Sequence, residues 1–177
     1  MKPAHVLLPV AVAAVLCCVP ATAGAETVQT RLRGYEEVPS ISSAAEGRFR
    51  ARIDTAAGRI AYQLSYDDLQ GEVRQAHIHF GQRGVNGGVS VFLCQTADAP
   101  DPTGLAPICP ASGSVAGLLR ADNVVGPGNQ GLSAGEFAEL VAAIRAGVAY
   151  VNVHTTAFPA GEIRGQLNAV RNLLGGH

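Results

Sequence analysis

Aromatic side chains make up only 5% of this 177-residue chain, and tryptophan is absent. So few rings exclude a broad platform on which sugars could stack. Positive charge is not in surplus either, with 13 basic residues against 14 acidic ones. Nucleic acid and anionic membranes attract strongly basic surfaces, and this composition offers none. No apolar run after residue 25 approaches the ~20 residues of a membrane-spanning helix. Neither Cys94 nor Cys109 reads as a free nucleophile. Gly81, Gly84, Gly87 and Gly88 suggest a phosphate loop, but strand-like residues follow them, with no lysine and no helix start. They read as turn glycines.

What is present begins with a leader. Lys2 precedes the apolar run Val6–Val19, and Ala21-Thr-Ala23 and Ala23-Gly-Ala25 offer small-residue cleavage sites. That is the layout of a secretory signal peptide over 1–25. The residue before Cys17 is not small, so lipidation is not expected. One domain over 26–170 and a short tail, 171–177, complete the organisation. The product is expected to be secreted or periplasmic, without stable membrane insertion. An exported chain with two remaining cysteines is expected to join them, so Cys94 and Cys109 are read as a disulfide. Closing that loop removes unfolded-state entropy worth ~3 kcal/mol.

Alternation of polar and apolar residues dominates the domain. Segments 27–33, 47–53 and 59–66 follow period two, the mark of half-buried strands. Asp54-Thr-Ala-Ala-Gly58 supplies turn chemistry for a hairpin between the last two. Further strands are expected at 73–80, 89–94, 114–119, 148–154 and 162–168. About eight short strands with glycine-rich punctuation predict an all-β antiparallel sandwich or barrel with Greek-key crossings. One covering helix is expected over 133–146. Ser133-Ala-Gly-Glu136 reads as a capping box, Phe137, Leu140, Val141 and Ile144 recur at helical spacing, and Gly147 sits where a C-cap belongs.

The stretch Gln75-Ala-His-Ile-His-Phe80 places two histidines one residue apart. Alternation puts Ala76, Ile78 and Phe80 on the core face and His77 and His79 on the outer one. By the same rule, Tyr150, Asn152 and His154 point outward from 149–155, as do Glu162, Arg164 and Gln166 from the next strand. If these strands are neighbours, the imidazoles of His77, His79 and His154 converge on one spot. Three nitrogen donors with an open position suit copper or zinc. Asn152 or Glu162 would then be placed to orient a ring, and Arg164 lies near. The alternative is three solvated histidines on a wet face.

Leu32-Arg-Gly-Tyr-Glu-Glu-Val-Pro39, Ala44-Ala-Glu-Gly47, Ala76-His-Ile-His-Phe-Gly81, Ala146-Gly-Val-Ala-Tyr-Val-Asn-Val-His-Thr155 and Pro159-Ala-Gly-Glu-Ile-Arg-Gly165 together resemble the CHRD domain, the repeat first named in chordin. The resemblance implies an immunoglobulin-like β-sandwich with an extracellular role. A more distant similarity joins Ala76-His-Ile-His79 and Val151-Asn-Val-His154 to the copper-binding strands of copper/zinc superoxide dismutases. It implies a mononuclear site, copper ahead of zinc, because no cluster for a second metal is present. The resulting expectation is an exported, non-catalytic binding module for a protein or small ligand, with that metal site on the outer face. Two alternatives accompany it, a small copper-dependent redox protein and a metal-free structural component of the envelope or matrix.

Overall fold

The structure, a computed structural model, describes residues 25–169. The expected leader and tail therefore lie outside the described residues, apart from Ala25. Eight strands form one antiparallel sheet: β1 (Glu26–Arg33), β2 (Glu46–Asp54), β3 (Arg59–Asp67), β4 (Val73–Phe80), β5 (Gly88–Cys94), β6 (Gly113–Leu119), β7 (Ala149–Thr155) and β8 (Ile163–Ala169). Their spatial order is β5-β4-β7-β8-β1-β2-β3-β6, and β6 curls back into contact with β5. The result is the expected all-β fold, between a sandwich and a nearly closed barrel.

Strict alternation explains why β2 and β3 form. Gly47, Phe49, Ala51 and Ile53 are buried between exposed Arg48, Arg50 and Arg52, and Ile60, Tyr62, Leu64 and Tyr66 match them from β3. In the connecting turn the Asp54 carboxylate accepts the Ala57 amide at 3.0 Å, as the turn residues predict. The inward faces of both halves meet in one core that includes Val28, Leu32, Ile78, Leu93, Val151, Ile163 and Leu167.

Two expectations change in detail. The helix, α1, runs over Phe137–Arg145 rather than from residue 133. Gly135 takes a left-handed conformation (φ 84°), so Ser133–Glu136 forms a separate turn in which Glu136 accepts the Ser133 amide at 2.6 Å. The helix ends as expected, with the Gly147 and Val148 amides donating to the Ile144 and Ala143 carbonyls. Cys94 and Cys109 are disulfide-bonded, their Cα atoms 4.9 Å apart. The intervening loop is organised around the buried Asp101 carboxylate, which accepts the amides of Thr103, Leu105 and Ala106.

The second change concerns position. The outward residues of β4, β7 and β8 do not face solvent: His77, His79, Asn152, His154, Arg164 and Gln166 are all buried. Alternation correctly separates the two sides of these strands. It does not reveal that the segments after β1, β4 and β7 fold back over the outer one. A second layer, polar rather than apolar, lies beneath those connections.

Candidate metal centre

β4 and β7 pair antiparallel, with Gln75 opposite His154, His77 opposite Asn152 and His79 opposite Tyr150. That register brings His77, His79 and His154 together from two separate segments. One nitrogen of each lies within 4.8 Å of the others. The Nδ1 of His77 stands 3.1 Å from the Nε2 of His154.

Backbone carbonyls orient two of the rings. His79 Nδ1 lies 3.0 Å from the Gly87 carbonyl oxygen, and His154 Nδ1 lies 3.0 Å from that of Pro159. A carbonyl only accepts, so both Nδ1 atoms carry the proton and both Nε2 atoms keep their lone pair. With the His154 lone pair aimed at it, His77 Nδ1 donates, and its own Nε2 becomes an acceptor. The Nε2 atoms of His77 and His79 are buried and have no hydrogen-bond partner in the protein. Leaving such acceptors unsatisfied costs about 1–3 kcal/mol each.

Burial also keeps the rings neutral. It pushes His77 down to about 2, helped by His154 and His79. It holds His79 at about 4 against the opposing Gly87 bond, and lowers His154 against the Pro159 bond. Neutral imidazoles are the form that binds metals. Packing holds them in place, with His79 stacked on Tyr150 at 4.7 Å and His77 edge-on to Phe92 at 4.4 Å. The guanidinium of Arg164 lies 3.4 Å above the other part of this stack, the Tyr150 ring. It also donates to the Gln82 and Val85 carbonyls and to Asn86, tying the loop after β4 to β8.

The remaining expected residues sit around the rings with distinct partners. Asn152 donates to the Glu37 carboxylate at 2.8 Å, while its own Oδ1 has no partner. Glu162 accepts from the Ser43 hydroxyl, the Gln70 amide and the Thr155 hydroxyl, which pins the segment after β1 to β7 and β8. The carbonyls of Gly87 and Pro159, rather than Asn152 or Glu162, meet the ring protons.

Glu37 is the participant that sequence reasoning misses. Beside Pro39 it resembles a solvated acid at a strand end, yet only 6% of it is exposed. Burial raises its carboxyl to about 7 against the opposing influence of Arg164 and the Asn152 bond. Two glycines permit the close approach. A Cβ on Gly161 (φ 132°) would sit 2.6 Å from both Asn152 and Glu37, and one on Gly87 would collide with the Phe80 carbonyl.

A single β-domain with a buried polar layer and a three-histidine cluster defines the class. The family model for the CHRD domain matches residues 28–167, and the chain belongs to that family. No curated protein and no solved structure shows significant similarity to it. Membership suggests a binding module. Among the described residues, no helix is long and apolar enough to cross a membrane.

Proposed function

We propose that this protein is an exported CHRD-domain binding module that holds one copper ion on His77, His79 and His154, with zinc the second choice. Binding is the primary role, and catalysis is not assigned. The observation that carries the reading is the pair of buried, unpartnered Nε2 lone pairs on His77 and His79, beside a third imidazole within 4.8 Å. A cation satisfies acceptors that the protein leaves bare. The donor set is three neutral nitrogens with no thiolate or carboxylate, which suits copper or zinc rather than calcium or magnesium. Bonds of about 2 Å are within reach of rings this close once the His77–His154 hydrogen bond opens and frees the His154 Nε2 lone pair for the ion. Once bound, the ion would cross-link β4 to β7. Arg164 and Tyr150 would hold the His79 ring, and the Gly87 and Pro159 carbonyls would keep the two Nδ1 protons in place. The disulfide supports an oxidising compartment.

The test is metal titration of the purified full-length protein and of the His77→Ala/His79→Ala variant. We expect one equivalent bound by the protein and at least a hundredfold weaker binding by the variant, with nitrogen hyperfine structure in the copper(II) spectrum of the former. Equal, weak binding by both would remove the metal from the account. Reduction of the bound ion by ascorbate followed by reoxidation in air would promote the redox alternative.

A further inference from the structure

The opposite half of the molecule carries a feature that the near-neutral total charge conceals. Arg48, Arg50 and Arg52 alternate along β2 and are all exposed. The register places exposed Arg31 of β1 directly opposite Arg48. None of these four forms an ion pair among the described residues; the four pairs found are Arg33–Glu46, Arg59–Asp54, Arg83–Glu36 and Arg145–Glu26. The acids at the ends of β2, Glu46 and Asp54, are thus already engaged by other arginines. Like charges directly opposite one another destabilise a sheet, so the arrangement has a cost to the fold that no ion pair among the described residues offsets. Arg31, Arg48 and Arg50 border a shallow depression of about 590 Å³ that Gln29, Gln63 and Ser65 also line.

We propose that this open face of β1, β2 and β3 is a docking surface for a linear anionic polysaccharide bearing carboxylates or sulfates. Alternate residues of one strand stand about 6.7 Å apart. Arg48, Arg50 and Arg52 therefore form a straight row of forked donors, each able to grip a carboxylate or sulfate in two places. The glutamines and the serine on the flanking strands offer amide and hydroxyl partners for sugar hydroxyls. Two rival occupants fit less well. Single-stranded nucleic acid needs exposed rings for its bases, and Phe49, Tyr62 and Tyr66 all point into the core. A membrane surface calls for protruding apolar anchors, and the only exposed large apolar side chain on these strands and their neighbour β6 is Leu118. Recognition here rests on charge, so the scarcity of aromatic residues is no obstacle.

The test measures binding of the full-length protein to a heparin-derived decasaccharide and to oligogalacturonate, with a DNA duplex and phosphatidylglycerol vesicles as competitors at matched charge. The Arg48→Gln/Arg50→Gln/Arg52→Gln variant should bind the preferred glycan about tenfold or more weakly, and its log–log salt dependence should flatten by about 2 to 3. Arg83→Gln, in the loop after β4 on the other half of the molecule, should change neither quantity. The row is exposed and its charges repel, so an unchanged or raised thermal midpoint of the triple variant would show that the loss is not misfolding. Undiminished binding by that variant, no binding of either glycan by the parent at low salt, or preference for the duplex or the vesicles would each overturn the assignment. His77→Ala/His79→Ala should leave glycan affinity intact, so this result and the metal result can fail separately.

Discussion

β2 and β4 are both alternating strands, and both place polar side chains on the face turned away from the core. On β2 that face stays open, and Arg48, Arg50 and Arg52 keep their water. On β4 it is roofed by returning connections, and His77 and His79 fall to 2% and 7% exposure. Pleat decides only which side a residue takes; the connections decide whether that side is wet. Arginine can stay at the first surface because solvent satisfies it. The second surface leaves few polar atoms without an internal partner, and the two imidazole lone pairs among them mark the candidate metal centre.

The largest expected effect that tests this contrast is Arg164→Ala. It removes donors from the Gln82 and Val85 carbonyls and from Asn86, together with the stack on Tyr150. Denaturant unfolding should show a loss of about 3–5 kcal/mol, as for other breaks in buried charged networks. A loss below about 1 kcal/mol would mean that the roof is not tied down by this guanidinium.

Next in size is the pH dependence of the metal-free protein. His77, His79 and His154 are all lowered from their ordinary range, so below about 6.5 the unfolded chain binds protons that the folded one refuses. Stability should therefore fall as pH drops. Glu37, raised to about 7, acts in the other sense, because the folded state holds its proton between about 4.5 and 7. With His77 and His79 against one carboxyl, the unfolded chain binds about one proton more near pH 5, a slope on the order of 1.4 kcal/mol per unit, to which His154 adds in the same direction. Equilibrium unfolding at several pH values measures it, and a flat profile between pH 7 and 5 would show that the rings take up protons freely in the fold.

The disulfide comes third. Cys94→Ala/Cys109→Ala should cost about 3 kcal/mol from the closed loop alone. The buried Asp101 knot should hold the local conformation, which amide exchange of Thr103, Leu105 and Ala106 would report. The smallest effect belongs to the open face, where Arg50→Gln should move stability by no more than about 0.5 kcal/mol. A change as large as that of Arg164→Ala would erase the distinction between the two surfaces.

Much of this was legible in the residues. Period-two alternation located β2 and β3 almost to the residue, and the turn chemistry of Asp54 joined them. The convergence of His77, His79 and His154 followed from the pleat plus one guess about which strands are neighbours. Three features stayed hidden for physical reasons. The acceptors that orient His79 and His154 are backbone carbonyls, which every residue possesses and no sequence pattern marks. Glu37 is buried by a connection whose path depends on contacts with Asn152 and Gly161, more than a hundred positions away. The concentration of charge around the β2 arginines is the third, because a whole-chain charge count averages it away. Only the register, by placing Arg31 beside Arg48, shows how concentrated that charge is.

The pairing of β1 with β8 has one more consequence. Val28 lies opposite Ala169, and the two strands run in opposite directions, so the first and last described strands reach the same end of the sheet side by side. A fold with adjoining ends is a cassette. It can be spliced into the loop of a host protein, or strung head to tail with short tethers, without prising open its own sheet. The architecture is therefore suited to serial repetition, in which each added copy would bring its own histidine cluster and its own row of guanidinium groups.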